Sequence, residues 1–197
     1  MNTITLKGII KDIKYSHNIN DIEYYKANLL IPRDNGKEDI IKIKFKRFSN
    51  PYKEGDEISL KGNLRTFSKQ QKDKNSVELY VFTYMDKPDK DENNLVELDG
   101  RVCKKGDLRK TKNGKDVLDF ILANNITNDK NNLNAYIPIV AWGKQAKIIN
   151  KLNIGDRLSL LGTLNSREYK KKINENDFEL RVAHEVNMFY FNLNKDN

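Results

Sequence analysis

Apolar and polar residues alternate along several short stretches of the chain. Ile41, Ile43 and Phe45 interleave with Lys42, Lys44 and Lys46, and Ile137, Ile139 and Ala141 interleave with Tyr136, Pro138, Val140 and Trp142. Successive side chains on a strand point to opposite faces, so each stretch predicts a strand with one face in a core and the other displayed. Val77 to Phe82 and Phe178 to Val182 alternate in the same way and predict two further strands. Helical spacing is confined to Gly143 to Leu152, where Ala146 and Ile149, and Ile148 with Leu152, recur at the helical period before Gly155 ends the segment. Gly55-Asp56 and Gly155-Asp156 mark turns, and Asn113-Gly114 is the strongest short-range hairpin signal in the chain.

These signals occur twice. Ile4-Thr5-Leu6-Lys7-Gly8 parallels Val96-Glu97-Leu98-Asp99-Gly100 at an offset of 92. The run from Lys53 to Leu64 parallels that from Asn153 to Leu164 at an offset of 100. The second copy thus carries eight more residues between these landmarks, four of them at the helix, which the first copy lacks. Self-similarity of this kind means one scaffold used twice, with the extra residues in loops. The boundaries that follow are a first domain over 1–86, a polar linker over 87–94 containing Pro88, and a second domain over 95–192. Each copy is expected to hold five short strands. Five strands with a helix between the third and fourth describe the oligonucleotide-binding barrel, so the predicted fold is all-β: two tandem five-stranded Greek-key barrels, the second with a short helix between strands 3 and 4.

Composition narrows the function classes. Lys and Arg total 36 against 28 Asp and Glu, a net charge of +8 that favours a polyanionic partner, although a Lys- and Asn-rich composition gives the same excess without one. No apolar run approaches the roughly 20 residues of a membrane span, and the opening Met-Asn-Thr-Ile-Thr-Leu reads as a strand, so no membrane association is expected. The single cysteine, Cys103, excludes an internal disulfide framework, suits the reducing cytoplasm and is expected to pack within a strand. No enzyme is expected. Gly114-Lys115 is followed by Asp116 instead of a hydroxyl residue, so there is no phosphate loop. His17 and His184 with one cysteine make neither a zinc site nor a Cys-His pair, and no cofactor or metal is predicted.

The second copy resembles the bacterial and phage-type single-stranded DNA-binding proteins over most of its length. The likeness rests on Leu98-Asp99-Gly100-Arg101-Val102, on the hairpin Asp107 to Gly114, on Asp119-Phe120-Ile121-Leu122-Ala123, on Tyr136 to Ala146, on Gly162 to Tyr169, and on Glu185-Val186. The first copy shares barrel landmarks only. The resemblance implies sequence-independent binding and protection of single-stranded DNA in replication, recombination and repair, in the cytoplasm at the nucleoid. It also implies assembly so that four barrels act together, which a two-barrel chain reaches as a homodimer. The run Phe189 to Asn197 lacks the acidic tail with an apolar tip that bacterial relatives use to recruit other proteins.

Binding of this kind needs ring faces for base stacking and cations that track the phosphates. In the second copy Tyr136, Trp142 and Tyr169 fall where the family places its stacking aromatics, and strand parity puts Tyr136 and Trp142 on one displayed face. The competing reading is that these rings cap the barrel or an interface. Arg109, Lys110, Lys112, Lys144, Arg167, Lys170, Lys171 and Lys172 surround them. In the first copy Lys42, Lys44, Lys46 and Lys69 take the displayed positions, with Phe48, Phe67 and Tyr24 as the stacking candidates, so that face is expected to be more cationic than aromatic. Two other readings stay open: a replication-assembly barrel of primosome type whose aromatic face meets protein, and an RNA-binding barrel.

Overall fold

The computed structural model describes residues 1–47, 52–71, 74–84, 93–128, 131–174 and 177–194. The first half contains β1 (Asn2–Ile19), β2 (Ile22–Pro32), β3 (Glu38–Lys46), β4 (Glu57–Gln71) and β5 (Lys74–Thr83). The second contains β6 (Leu95–Lys105), the short β7 (Arg109–Lys110), β8 (Asp116–Asn128), β9 (Asn131–Trp142), α1 (Gly143–Lys151), β10 (Arg157–Lys172) and β11 (Phe178–Asn194). In the first half β1 pairs with both β2 and β4, β2 with β3, β4 with β5, and β3 closes on β5 in parallel. The second half repeats this ring through β6, β8, β9, β11 and β10. Each half is therefore the expected five-stranded Greek-key barrel. The predicted linker lies largely outside the described residues.

Alternation sets the inside of each barrel. Ile41 and Ile43 are fully buried with Phe45 nearly so, as are Ile137, Ile139 and Ala141, and they meet Leu6, Leu29, Leu64, Leu98, Leu122 and Leu164 from neighbouring strands. The Gly-Asp landmarks are duplicated joints. Gly55 and Gly155 have φ of 94° and 98°, a conformation that side chains disfavour. Their N–H groups donate to the Ile10 and Val102 carbonyls at 2.8 Å, while Asp56 and Asp156 accept from the N–H groups of Lys53 and Asn153 at 2.8 Å. The same residues thus start the fourth strand in both copies.

The barrels share one eleven-stranded sheet because β1 and β6 pair antiparallel. Ile4 pairs with Val96, its own counterpart in the repeat, so a pseudo-twofold axis passes between them. The contacts around this axis are duplicated too. Asn2 bonds both the N–H and the carbonyl of Leu64, and Asn94 does the same to Leu164. Thr66 Oγ1 accepts the Tyr136 N–H at 3.1 Å, and Ser166 Oγ accepts the Ile40 N–H at 2.9 Å. On the β3 side lies a charged group with no counterpart. Asp39, 1% exposed, is gripped by Arg33, Asn165 and Ser166, and these contacts outweigh its burial and hold its carboxyl below the usual carboxylate range. His184 donates from Nε2 to the Ile40 carbonyl at 2.7 Å, and burial pushes its pKa below the ordinary 6.5.

Two expectations need correction. Cys103 is exposed, because Val96, Leu98, Gly100 and Val102 take the inner face of β6 and alternation places Cys103 on the outer one, just ahead of a bulge that also leaves Lys104 exposed. In α1 the buried residues are Ala146 and Ile149, whereas Ile148 faces solvent. Lys105 of β6 places its ammonium on the Asn150 and Leu152 carbonyls at the end of α1, the end where the helix dipole favours a cation.

Candidate nucleic-acid interface

On the second barrel Tyr136, Pro138, Val140 and Trp142 occupy the outer face of β9, as parity predicts. Along about 20 Å of strand the face changes character. At one end the Trp142 Nε1–H donates to Asn187 Oδ1 at 2.9 Å, and Lys115 Nζ lies 5.3 Å from the ring centroid. A cleft of about 450 Å³ opens there, lined by Lys115, Trp142, Gln145, Thr163, Asn187 and Phe189. In the middle, Ile121, Pro138 and Val140 floor a second cleft of about 260 Å³, with Lys104 on its border. At the far end Tyr136 is 46% exposed beside the barrel junction. Tyr169 lies half-buried on β10 with the Arg167 guanidinium 6.0 Å from its ring.

The cations divide into held and open groups. Arg109 pairs with Asp119 at 2.7 Å, and Arg167 with Glu185 at 3.6 Å, so both are oriented over the face. Lys110, Lys112, Lys144, Lys170 and Lys172 are exposed, and Lys171 is half-buried. The Asn113-Gly114 turn forms as expected, with the Gly114 N–H donating to the Thr111 carbonyl at 2.9 Å, and it leads into Lys115, which lies beside Trp142.

The first barrel displays Lys42, Lys44 and Lys46 from β3, and rings from β5 that the expectation of a mainly cationic face did not include. Leu79 and Val81 point into the core, so Tyr80, Phe82 and Tyr84 share the outer face. Lys44 Nζ sits 3.9 Å from the Tyr80 centroid and 5.6 Å from that of Phe67, and Lys46 Nζ sits 5.3 Å from Tyr84. Arg65 stacks at 3.9 Å over Phe82, which is buried beneath it. Lys42 forms an ion pair with Glu78. Tyr24 lies flat against His17, with centroids 4.8 Å apart, so one face of its ring is already covered. Phe48 and the side chain of Lys69 lie outside the described residues. A cleft of about 480 Å³ runs between Lys26, Asn28, Lys42, Lys44, Phe67 and Tyr80. The signal for Tyr80 and Tyr84 was present in the alternation of Leu79 and Val81. It needed only the assignment of which parity faced the core.

Among the described residues no cluster of His, Cys, Asp or Glu could hold a metal ion, and no helix is long and apolar enough to cross a membrane. No curated protein matches the chain in sequence. Two crystal structures of the single-stranded DNA binding protein from Thermus aquaticus superpose on all of it. A deletion variant gives a TM-score of 0.74 at 18% identity and the wild type 0.72 at 19%, with 96% and 94% of their own chains covered. That likeness covers both barrels and bears on the fold. The sequence profile of the single-strand binding protein family matches residues 93–189, the span that carries Trp142, Tyr136 and Tyr169. The second barrel is thus a domain of the single-strand binding protein family.

Proposed function

We propose that the chain binds single-stranded DNA without sequence preference and without chemistry on it, protecting strands exposed in replication, recombination and repair in the cytoplasm at the nucleoid. The observation that carries this reading is the outer face of β9, where the Trp142 and Tyr136 rings flank an apolar floor bordered by basic residues. Bases stack on rings whatever their identity, and cations follow the backbone, so such a face reads no sequence. On the second barrel Tyr136, Trp142 and Tyr169 stack bases, while Arg109, Lys110, Lys112, Lys144, Arg167, Lys170 and Lys171 meet phosphates. On the first, Phe67 and Tyr84 stack, and Lys44 and Lys46 track the backbone, so this barrel contributes the weaker and more salt-sensitive share.

The two units, 1–86 and 95–192, are joined through the pairing of β1 with β6. A homodimer brings four barrels together, with the exposed Phe178, Leu180 and Val182 on β11 as apolar surface for a second copy to cover. Trp142 is the chain's sole tryptophan, so its emission is a specific reporter. Titration with oligo(dT) at low salt is expected to quench it strongly, while duplex DNA of equal phosphate content leaves it unchanged. Unchanged emission with no measurable binding refutes the reading, and equal affinity for oligo(U) moves it to RNA. Sedimentation that shows monomer alone under binding conditions removes the homodimer.

A further inference from the structure

A line of hydrogen bonds runs from the Trp142 indole of the second barrel to a carboxylate of the first. Trp142 Nε1 donates to Asn187 Oδ1 at 2.9 Å, Asn187 Nδ2 donates to Asn165 Oδ1 at 2.8 Å, and Asn165 Nδ2 donates to Asp39 Oδ2 at 3.0 Å. Thr163 also donates to Asn165 Oδ1 at 3.0 Å. Asp39 receives Arg33 Nε at 2.7 Å and Ser166 Oγ at 3.1 Å, together with Arg33 Nη2 and the Ser166 N–H. We infer that Asp39 is a positioning residue for Trp142: its acceptor-only carboxylate, transmitted through Asn165 and Asn187, fixes the indole that stacks on DNA.

The direction of every bond follows from the carboxylate. An ionised Asp can only accept, so Asn165 must turn its amide NH₂ toward Asp39 and its carbonyl oxygen back toward Asn187. Asn187 must then offer NH₂ to Asn165 and its own carbonyl oxygen to the indole. An amide left to choose its orientation could present a donor to the indole N–H, which has no acceptor capacity. The charge on Asp39 removes that choice two residues away. Burial strengthens the effect, because hydrogen bonds to a charged group in a site with little water are short and directional. The first barrel thereby sets a ring on the second.

This inference rests on the stacking role proposed for Trp142, and the two are separable by experiment. Asp39→Asn puts an amide NH₂ against donors in either orientation, against Arg33 Nε and Asn165 on one side or Arg33 Nη2 and the Ser166 N–H on the other. Asn165→Leu leaves the Arg33–Asp39 pair intact and cuts the line at its middle, so it serves if Asp39→Asn does not fold. In the free protein both variants are expected to lower the fluorescence anisotropy of Trp142 and to speed solvent exchange of its Nε1–H by about three- to tenfold, the coupling typical of groups in one network. Asn165→Thr, which keeps a hydroxyl acceptor for Asn187, should recover part of that loss. Affinity for oligo(dT) should fall by a similar factor, and this fall should disappear in a Trp142→Phe background, which keeps a ring without the N–H. Unchanged exchange and anisotropy in Asn165→Leu overturn the inference, as does an affinity loss that persists in the Trp142→Phe background. Faster exchange with unchanged oligo(dT) affinity supports the positioning and refutes the stacking role.

Discussion

At matching places in the two barrels the same backbone carries different chemistry. Trp142, Asn187 and Asn165 of the second barrel, ending on Asp39 across the junction, correspond to Lys46, Phe82 and Arg65 of the first, ending on Ala135. The second set is a hydrogen-bonded line holding a ring at the surface. The first is a set of cations laid over rings, with Arg65 on Phe82 and Lys46 by Tyr84. One consequence is visible at Arg65, whose Nε is buried without a hydrogen-bond partner where the counterpart of Asp39 is an alanine. The comparison teaches that duplication fixed the scaffold and its joints but left each displayed face to specialise, one toward stacking and the other toward charge.

The largest expected effect separates these faces. Trp142→Ala should weaken oligo(dT) binding by about 1–3 kcal/mol, the worth of one stacked base, measured by anisotropy of a labelled oligonucleotide. Tyr84→Ala at the equivalent edge of the first barrel should cost only about two- to fivefold, the scale of an exposed cation–ring contact. Equal losses would show that the two faces are not specialised.

The duplicated asparagine clamps should break more evenly. Asn2→Ala and Asn94→Ala each strand a backbone N–H and a carbonyl, on Leu64 and Leu164. Each is expected to cost about 1–3 kcal/mol in urea unfolding. The Asn94 change should be the larger, because Asn94 is buried whereas Asn2 is half-buried. A variant with no loss would mean that the duplicated asparagine clamps do not tie the start of each copy to its own fourth strand.

Salt dependence sharpens the charge side. Lys44 and Lys46 meet rings, whereas Lys42 is already paired with Glu78. Replacing both Lys44 and Lys46 by Ala should reduce the slope of log affinity against log salt by about 1.4, at roughly 0.7 per phosphate released. Lys42→Ala should change it less. A reduction of the full ~0.7 from Lys42 alone would show that Glu78 releases it when DNA binds.

Much of this was legible in the sequence because alternation and repetition are local signals. Ile41 with Lys42, and Ile137 with Trp142, fix which side chains share a face, and the duplicated Gly-Asp turns fix the scaffold. Three features were not legible, for physical reasons. Tyr80 lies on β5 and Tyr84 just past its end, and with Phe82 they oppose Leu79 and Val81, so the alternation was visible but did not by itself say which of the two faces was core. Cys103 follows Val102 on the outer parity of β6, but its apolar character suggested the core, and the strand ends there in a bulge that leaves no further inner position to fix the register. The Asp39 group depends on residues more than 120 positions apart meeting across the pseudo-twofold axis, and no local spacing encodes that meeting.

The smallest expected effect is a pH dependence confined to one side of the junction. His184 is held below its ordinary pKa of 6.5 by burial, so the unfolded chain binds a proton more readily than the folded one. Stability therefore falls as pH drops below about 6.5, with a slope of at most about 1.4 kcal/mol per pH unit for one proton. Asp39 and Asp99 are lowered from 3.8, so their contributions are retained down to that range and are lost only below it. The two windows separate the groups. His184→Gln keeps a donor for the Ile40 carbonyl and cannot titrate, so it should flatten urea-unfolding stability between pH 6.5 and 4.5 while leaving the steeper acid loss in place. The counterpart position in the first barrel is Leu79, buried and uncharged, so that side of the junction should contribute nothing to the slope. If His184→Gln keeps the full slope between pH 6.5 and 4.5, the proton is taken up elsewhere and the two sides of the junction do not differ in their response to acid.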